Sequence, residues 1–403
     1  MPESTQSCPE LFGPEFTRDP YPGYAWLRDH SPVHQLMLPP GVPAWLVTRY
    51  DDVKALLGDP RLSKDMERFL PGPALPSEHL RGVLTRNMLA SDPPAHTRLR
   101  RLAAREFTAR RVEILRARIA GLADGLLELL GDAGTADLME AFAAPLPVMV
   151  ICELLGVPQE DAATFRAWST TASDGQSTGG PEFEAAIGAL QEYVARLVDA
   201  KRANPGADLI SGLVTASDDD RLSDEELIAM VFLLLLGGHE TTVSLIGNAV
   251  FCLLTHPGQL KLLRAEPDRL PTAIEEVLRY ETPATTASMR FASEDLRVRG
   301  VTIPAGGVVF LGLGSANHDT ERNVRADQFD IDRGDISHIA FGHGIHSCIG
   351  AALARLEGQV ALGALLARFA DLRLTVPPHE ITWRPGLHFR GPVTLPVSYR
   401  TQI

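Results

Sequence analysis

One cysteine of this chain sits where chemistry is easiest to build. Cys348 lies in the stretch HIAFGHGIHSCIGAALARLEG, ahead of a helical pattern and inside a loop carrying Gly342, Gly344 and Gly350. Glycine allows backbone angles and close approaches that other residues forbid. A cysteine at the start of a helix has amide donors and the positive end of the helix dipole around its sulfur, which favours the thiolate. Such a sulfur can serve as a nucleophile or as an axial metal ligand; the plainer alternative is a buried cysteine acting as a small hydrophobe. Zinc would use His343, His346 and Cys348, but the last two crowd one tight loop and no fourth ligand is near. A cysteine hydrolase needs a base and a group to orient it, and the sequence assembles neither.

Other residues could do chemistry as well. In Leu236-Gly237-Gly238-His239-Glu240-Thr241-Thr242 a carboxylate and two hydroxyls interrupt the most apolar segment of the chain. A buried carboxylate is costly without a partner or a purpose. Thr241 could equally back-bond to the carbonyl four residues earlier, with Glu240 simply salt-bridged. Glu276 and Arg279 stand one helical turn apart, a pair that on a surface would contribute little. Between Arg98 and Arg111 six arginines face one acid, Glu106, in a chain whose formal charge is -13.

The elements that must position these groups are mostly helical. The pattern predicts a short helix in PYPGYAWLRDH, a strand pair near Val33 and over Ala44 to Tyr50, and a helix from Asp51. Proline and glycine make Pro71 to Pro94 read as a long loop with little regular structure, the kind that covers a binding site. Helices are expected at 95–106 and 109–130, through DLMEAF…VICELLG, and at 159–170, with a break from Ser173 to Gly180. EFEAAIGALQEYVARLVDAKR and DLISGLVTA continue the helical pattern. Ser223 with Glu226 three residues on reads as a capping box opening one helix that runs to His256, before Pro257. Apolar on nearly every face across its first half, that helix should run through the middle of the molecule. After a helix from Leu270 to Tyr280 come strands in RFASEDLRV and GVTIPAGGVVFLGLG, a loop-rich stretch from Ser315 to Gly350, a helix from Ala351 to Arg368, and strands around a loop at 384–392.

Length and composition narrow the classes. At roughly 150 residues per domain, 403 could make two or three, but no linker, repeat or alternating βα rhythm appears, so one large, mainly helical domain with a smaller strand-rich part is expected. Hydrophobic residues at 45% exclude a wholly disordered chain, and 38 basic against 51 acidic residues disfavour a nucleic-acid binder. Cys8, Cys152, Cys252 and Cys348 are too widely spaced for a CxxC site and too few for a disulfide scaffold, which suggests a reducing interior. The start, MPESTQSCPELFGPEF, does not read as a signal peptide. The apolar run Leu227 to Gly238 has twelve residues, short of the ~20 that cross a bilayer, so a soluble, cytoplasmic protein without a membrane partner is expected.

FGHGIHSC with Gly350 resembles the heme-binding loop of the cytochrome P450 monooxygenases, FGxGxHxCxG, and is complete from Phe341 through Gly350. GGHETT at Gly237 to Thr242 resembles the central-helix motif of that family, EVLR with Glu276 and Arg279 its ExxR pair, and HTRLR with His96 and Arg100 the basic face that holds a heme propionate. The resemblance runs from PEFTRDPYPGYAWLR to FRGPVTLPV. It points in particular to actinobacterial enzymes that hydroxylate macrolides and other polyketides.

The resemblance implies a mainly α (α+β) fold, a single P450 domain over 1–403, helix-rich at about 93–280 and 349–369 and β-rich at about 31–50, 287–312 and 371–400. It implies heme b, with Cys348 as the metal ligand, Phe341, Gly342 and Gly350 around it, and His96, Arg100, Arg290 and His346 on the propionates. Thr241 would donate a hydrogen bond toward dioxygen and Glu240 relay protons, while Glu276 and Arg279 brace the cysteine loop. Leu236, Gly237, Ala284, Thr285 and His388 would wall the substrate pocket. A ferredoxin with its NAD(P)H-dependent reductase would supply electrons, steered by the arginine run, to a monomer that uses O2. Epoxidation or oxidative ring formation and coupling are the alternative outcomes, and a heme scaffold without turnover the non-enzyme one, against which Glu240 and Thr241 argue. The chain departs from the family pattern at SANHDTERNVRADQFD, commonly ANRDPxxFPDPxxFD, where His318 and Asn323 should alter a loop. It departs again at Ser347, where a larger apolar side chain is common and the thiolate should be more solvated.

Overall fold

Among the described residues helices carry most of the chain and short strands in three small sheets a smaller part, which is the mainly helical α+β architecture expected. The computed structural model of the chain describes residues 8–38, 41–69, 78–174, 180–215 and 222–401. Backbone contacts group them into two compact units.

The first unit comprises Met1–Leu62, Ala123–Ala143 and Val243–Ile403. Its main sheet joins β1 (Val33–Leu38), β2 (Val42–Val47), β3 (Leu62–Ser63), β5 (Arg290–Ala292) and β8 (Val308–Leu311) in the order β1-β2-β8-β5-β3. The β1–β2 hairpin pairs Val33 with Val47 and Leu38 with Val42, and β2 then runs parallel to β8, Ala44 opposite Val308. Trp45, Val47, Val309 and Leu311 from this sheet bury against Val53 and Leu57 of the Tyr50–Leu57 helix, and Ile339 joins the same core. Ile339 lies two residues before Phe341, so the sheet's core anchors the entry to the cysteine loop. The smaller sheets are β4 (Ala133–Asp137), β10 (Pro396–Thr401) and β9 (Phe369–Leu374), in that order, and the pair β6 (Leu296–Val298) with β7 (Val301–Ile303). The helices Leu270–Tyr280 and Ala351–Arg368 pack closely at Gly358, where a β-carbon would come 3.2 Å from Ile274 Cδ1.

The second unit, Ser63–Leu122 and Ala144–Thr242, is helical. Ser223 and Glu226 form the capping box: the Ser223 amide donates to Glu226 Oε2 at 3.0 Å and the Glu226 amide to Ser223 Oγ at 3.1 Å. They open the Asp224–Thr255 helix, whose residues through Thr242 belong to this unit. Gly238 lets that helix approach the Pro145–Leu155 helix, since a β-carbon there would meet Ile151 Cδ1 at 3.0 Å.

Several elements differ from expectation. Pro71 to Pro94 is not mainly irregular: Glu78–Thr85 is helical and Asn87 caps a turn at Met88–Ala90. Proline and glycine cluster at the ends of that stretch, and its middle carries only Gly82 as a breaker; residues 70–77 lie outside the described ones, as do 175–179 of the expected Ser173 to Gly180 break. The 109–130 helix is two, Ala109–Ile114 and Arg116–Leu130. Pro257 both follows one helix and opens another, Pro257–Ala265, since a proline's missing N–H is harmless in a first turn. The long helix is also long and apolar enough to cross a membrane by length and composition, which a count of its unbroken apolar run missed. Of its most apolar stretch 67% is buried in the protein, as in a core helix.

Candidate functional site

In the first unit the cysteine loop is set by glycines in the left-handed region, Gly342 at φ 71° and Gly344 at φ 75°. At Gly344 a β-carbon would also come within 3.1 Å of Leu57 O, so only glycine fits. The Cys348 amide donates to Phe341 O at 2.8 Å, closing the loop, and Gly350 precedes the Ala351–Arg368 helix. Cys348 is exposed, whereas Cys152 and Cys252 are buried. Burial pushes the Cys152 thiol up to about 12; burial, reinforced by Glu281 and Glu276, pushes Cys252 well above its ordinary value. Beside the loop, Arg355 stacks over the Phe341 ring at 4.5 Å and donates to both oxygens of Glu275 at 2.6 and 2.8 Å. Burial alone would raise the Glu275 pKa, but His338 and Arg355 together hold it down to about 2.

Glu276 and Arg279 are fully buried and bidentate, with both nitrogen–oxygen distances 2.8 Å. Arg279 also donates to the carbonyls of Asn317, Ala326 and Gln328, while Glu276 accepts from Arg333 and from the Asp330 amide. The chain of bonds continues: Asn317 Oδ1 accepts from the Ile339 amide at 2.9 Å. The pair therefore fixes the 317–333 loop and, through Asn317 and Ile339, the entry to the cysteine loop. The unusual residues of that loop are well accommodated. His318 donates from Nε2 to Tyr280 O at 2.7 Å and stacks on Tyr21, and Asn323 Nδ2 donates to Asn317 O and Ser337 O.

Ala284 and Thr285 lie on a short ladder with the 387–390 loop. Ala284 pairs with Phe389, the Thr285 amide donates to His388 O at 2.8 Å, and Thr285 Oγ1 donates to Leu387 O at 2.7 Å. Thr285 is thereby buried, with its hydroxyl engaged, and Ala284 and His388 are the half-buried members. Sequence reasoning missed what clamps this ladder. Arg390 pairs with buried Glu281, donates to Thr17 O at 2.9 Å and Arg18 O at 3.1 Å, and stacks over Trp383 at 3.9 Å. No periodic signal marks these residues, because Glu281 lies 109 and Thr17 lies 373 positions from Arg390.

In the second unit His96 is buried and Arg100 half-buried, one turn apart on the Ala95–Ala104 helix. On the long helix Gly237 is exposed within an otherwise buried stretch; a β-carbon there would meet nothing nearer than Leu233 Cδ1 at 4.0 Å, so the backbone faces open space. Leu236 beside it is half-buried. Thr241 Oγ1 lies 3.5 Å from Gly237 O, the limit of a hydrogen bond, and Thr242 Oγ1 3.4 Å from Gly238 O. Glu240 is buried with Oε1 3.2 Å from His239 Nε2.

The donor set fits a heme. In the first unit the exposed sulfur of Cys348 at a helix start suits an iron ligand, and Arg290 and His346 are nitrogen donors of the type a propionate binds; in the second unit His96 and Arg100 are donors of the same type. Arg290 is buried in β5 although charged, an expensive placement that an anionic partner would justify. Among the described residues no cluster of three His, Cys, Asp or Glu side chains offers an alternative metal site.

Comparison with known proteins bears on the same residues. The cytochrome P450 family model matches residues 182–382, a span that includes the long helix, Glu276, Arg279 and Cys348. The chain is 47% identical to the cytochrome P450 monooxygenase PikC of Streptomyces venezuelae, over 98% of this chain and 96% of that one. It is also 47% identical to the vitamin D(3) 25-hydroxylase of Pseudonocardia autotrophica, over 96% of each. Its structure superposes on that of PksS, the bacillaene polyketide synthase cytochrome P450 of Bacillus subtilis, with TM-score 0.91 and 39% identity, covering 98% of this chain and 100% of the other.

Proposed function

The chain belongs to the cytochrome P450 family, and from that premise we propose that it hydroxylates a macrolide or another polyketide-like product, using O2 and electrons delivered by a ferredoxin and its NAD(P)H-dependent reductase. It is a heme-dependent monooxygenase. The observation that carries the reading is the exposed Cys348 in its glycine loop at a helix start, the other described internal cysteines being buried and held as thiols.

When bound, the heme supplies the iron at which O2 is reduced and one oxygen atom enters a carbon–hydrogen bond. Cys348 would hold that iron as thiolate, with Phe341 beside the ring and Gly342 and Gly350 keeping side chains away from the sulfur. His96, Arg100, Arg290 and His346 would bind the propionates. Thr241, loosely attached to Gly237 O, keeps a hydroxyl available to donate at its Oγ1, and Glu240 would return a proton to it. Gly237 leaves open space on the long helix, where Leu236 would wall the substrate pocket, and in the first unit Ala284 and His388 would contribute to a largely apolar wall, held by the bond of Thr285 to Leu387 O. A bulky, weakly polar substrate suits such a wall. PksS belongs to a polyketide synthase, which supports the polyketide class.

The test is titration of the purified holoprotein with macrolactones, linear polyketides and, as contrast, vitamin D(3), following the Soret shift as substrate displaces water. Turnover with ferredoxin, reductase and NADPH should then yield a polyketide product heavier by one oxygen and carrying a hydroxyl. Binding of vitamin D(3) with no response to any polyketide would overturn the substrate class. An epoxide or a new ring in the product would assign the alternative outcome.

A further inference from the structure

His239 carries no role in the reading above, yet both of its ring nitrogens are engaged. Its Nδ1 lies 2.7 Å from Leu235 O, its Nε2 lies 2.8 Å from Ser169 Oγ, and the same Nε2 lies 3.2 Å from Glu240 Oε1. Ser169 belongs to the Ala162–Asp174 helix, His239 and Glu240 to the Asp224–Thr255 helix, and all three lie in the second unit. Ser169 is 0% exposed and His239 1%, so bulk water does not reach the ring.

Hydrogen bookkeeping restricts what this arrangement can be. A carbonyl oxygen only accepts, so Nδ1 carries a hydrogen. In neutral imidazole Nε2 is then a lone pair. That suits the Ser169 hydroxyl as donor, but an ionised Glu240 would bring a second lone pair toward Nε2 of a ring that is itself closed to solvent. One additional proton removes the conflict, whether on Nε2 as imidazolium beside carboxylate or on Glu240 as carboxylic acid beside imidazole. Either form has the same proton count, and the two groups lie 3.2 Å apart.

We propose that His239 is the positioning residue of Glu240: locked by Leu235 O and by Ser169 of the neighbouring helix, it holds the carboxyl group in place and shares one proton with it. This rests on the reading of Glu240 as the proton relay to Thr241 and specifies what that relay is charged from. It also ties the proton supply to the Ala162–Asp174 helix, because the Ser169 hydroxyl is what orients the far side of the ring.

The proton count can be read without turnover. In the ferrous carbon-monoxide holoprotein, which is diamagnetic, nitrogen-15 histidine spectra assign His239 by the signals that vanish in His239→Asn. An Nδ1-protonated ring is expected, and with it either a protonated Nε2 or an infrared carboxylic-acid band that Glu240→Gln abolishes. A neutral ring with no such band means the pair holds no proton and overturns the proposal. For positioning, Ser169→Ala and His239→Leu should each give a several-fold loss of product per NADPH consumed at unchanged substrate dissociation constant. His239→Gln, whose amide can still donate to Glu240, should recover part of that loss. If His239→Leu couples like the parent while Glu240→Gln uncouples, Glu240 keeps its role and the proposal falls. If Glu240→Gln leaves coupling intact, the relay reading fails, and the spectra still decide whether the pair shares a proton.

Discussion

At the scale of single residues, Cys152 and Cys252 show what Cys348 escapes. Burial keeps the first two as thiols, with Cys152 at about 12, whereas Cys348 is exposed and close enough to Arg355 for its charge to be felt there after that of Glu275. Cys348→Ala should therefore abolish the thiolate-type absorption of the reduced, carbon-monoxide-bound protein, and Cys152→Ala should leave it intact; the reverse pattern would reassign the ligand. Thr241 is a second residue-scale case. Its bond to Gly237 O is at the distance limit, so Thr241→Ala loses a donor but little helix stability. The protein should still fold and bind substrate, while the ratio of hydroxylated product to NADPH consumed falls and peroxide is released. An unchanged ratio would remove Thr241 from the oxygen chemistry, and a loss matched by weaker binding would make it a pocket residue.

Elements are where the buried Glu276–Arg279 pair acts, since its bonds run through Asn317 and Ile339 to the cysteine loop. Glu276→Gln leaves Arg279 and Arg333 facing an uncharged partner in a dry site, a change that typically costs about 3–5 kcal/mol. The expected result is a lower denaturation midpoint together with faster heme loss, and Arg279→Lys should not rescue it because one ammonium cannot span the same carbonyls. An unchanged midpoint would show the pair to be dispensable. His318 adds a pH term in the same loop. Burial, then Arg279, pushes its pKa down to about 3 from 6.5. Below 6.5 the unfolded chain takes up a proton that the folded chain refuses until about 3, so His318 removes stability as pH falls through that window, by up to about 1.4 kcal/mol per pH unit. His318→Gln should flatten denaturation free energy against pH over that range, and an identical slope would contradict the neutral buried ring. Much of this scale was legible in advance. The Ser223–Glu226 box and the Ala351–Arg368 helix follow from local pattern, as does the glycine loop, whose Gly342 and Gly344 answer to positive backbone angles. What was not legible depends on distant partners. The strand Ala133–Asp137 reads AGTAD, a poor strand former held by Pro396–Thr401, and the Arg390–Glu281 clamp closes over a separation no periodicity reports.

On the scale of the whole molecule the arginine run opposes the net charge of -13, and the structure thins it. Arg98 pairs with Glu226 and Arg111 with Glu106. Arg101, Arg105 and Arg110 are exposed side chains of the same stretch. The count of six arginines from Arg98 to Arg111 thus overstates the field, because a sequence does not say which acids come from Asp224–Thr255 to meet it. Exposed cations in an acidic protein attract a negatively charged partner mainly by steering its approach, and salt screens such attraction over about 10 Å at 0.1 M. Neutralising Arg101 and Arg105 to Gln should accordingly weaken ferredoxin-supported turnover at low ionic strength and much less at high ionic strength. Substrate dissociation constants of the isolated protein should stay the same, since neither side chain is placed in the pocket. The measurement is the salt dependence of turnover at limiting ferredoxin, beside a substrate titration. A loss of equal size at every ionic strength would mean that the two arginines act through folding or heme retention, and an unchanged salt profile would place the electron-delivering contact elsewhere on the protein.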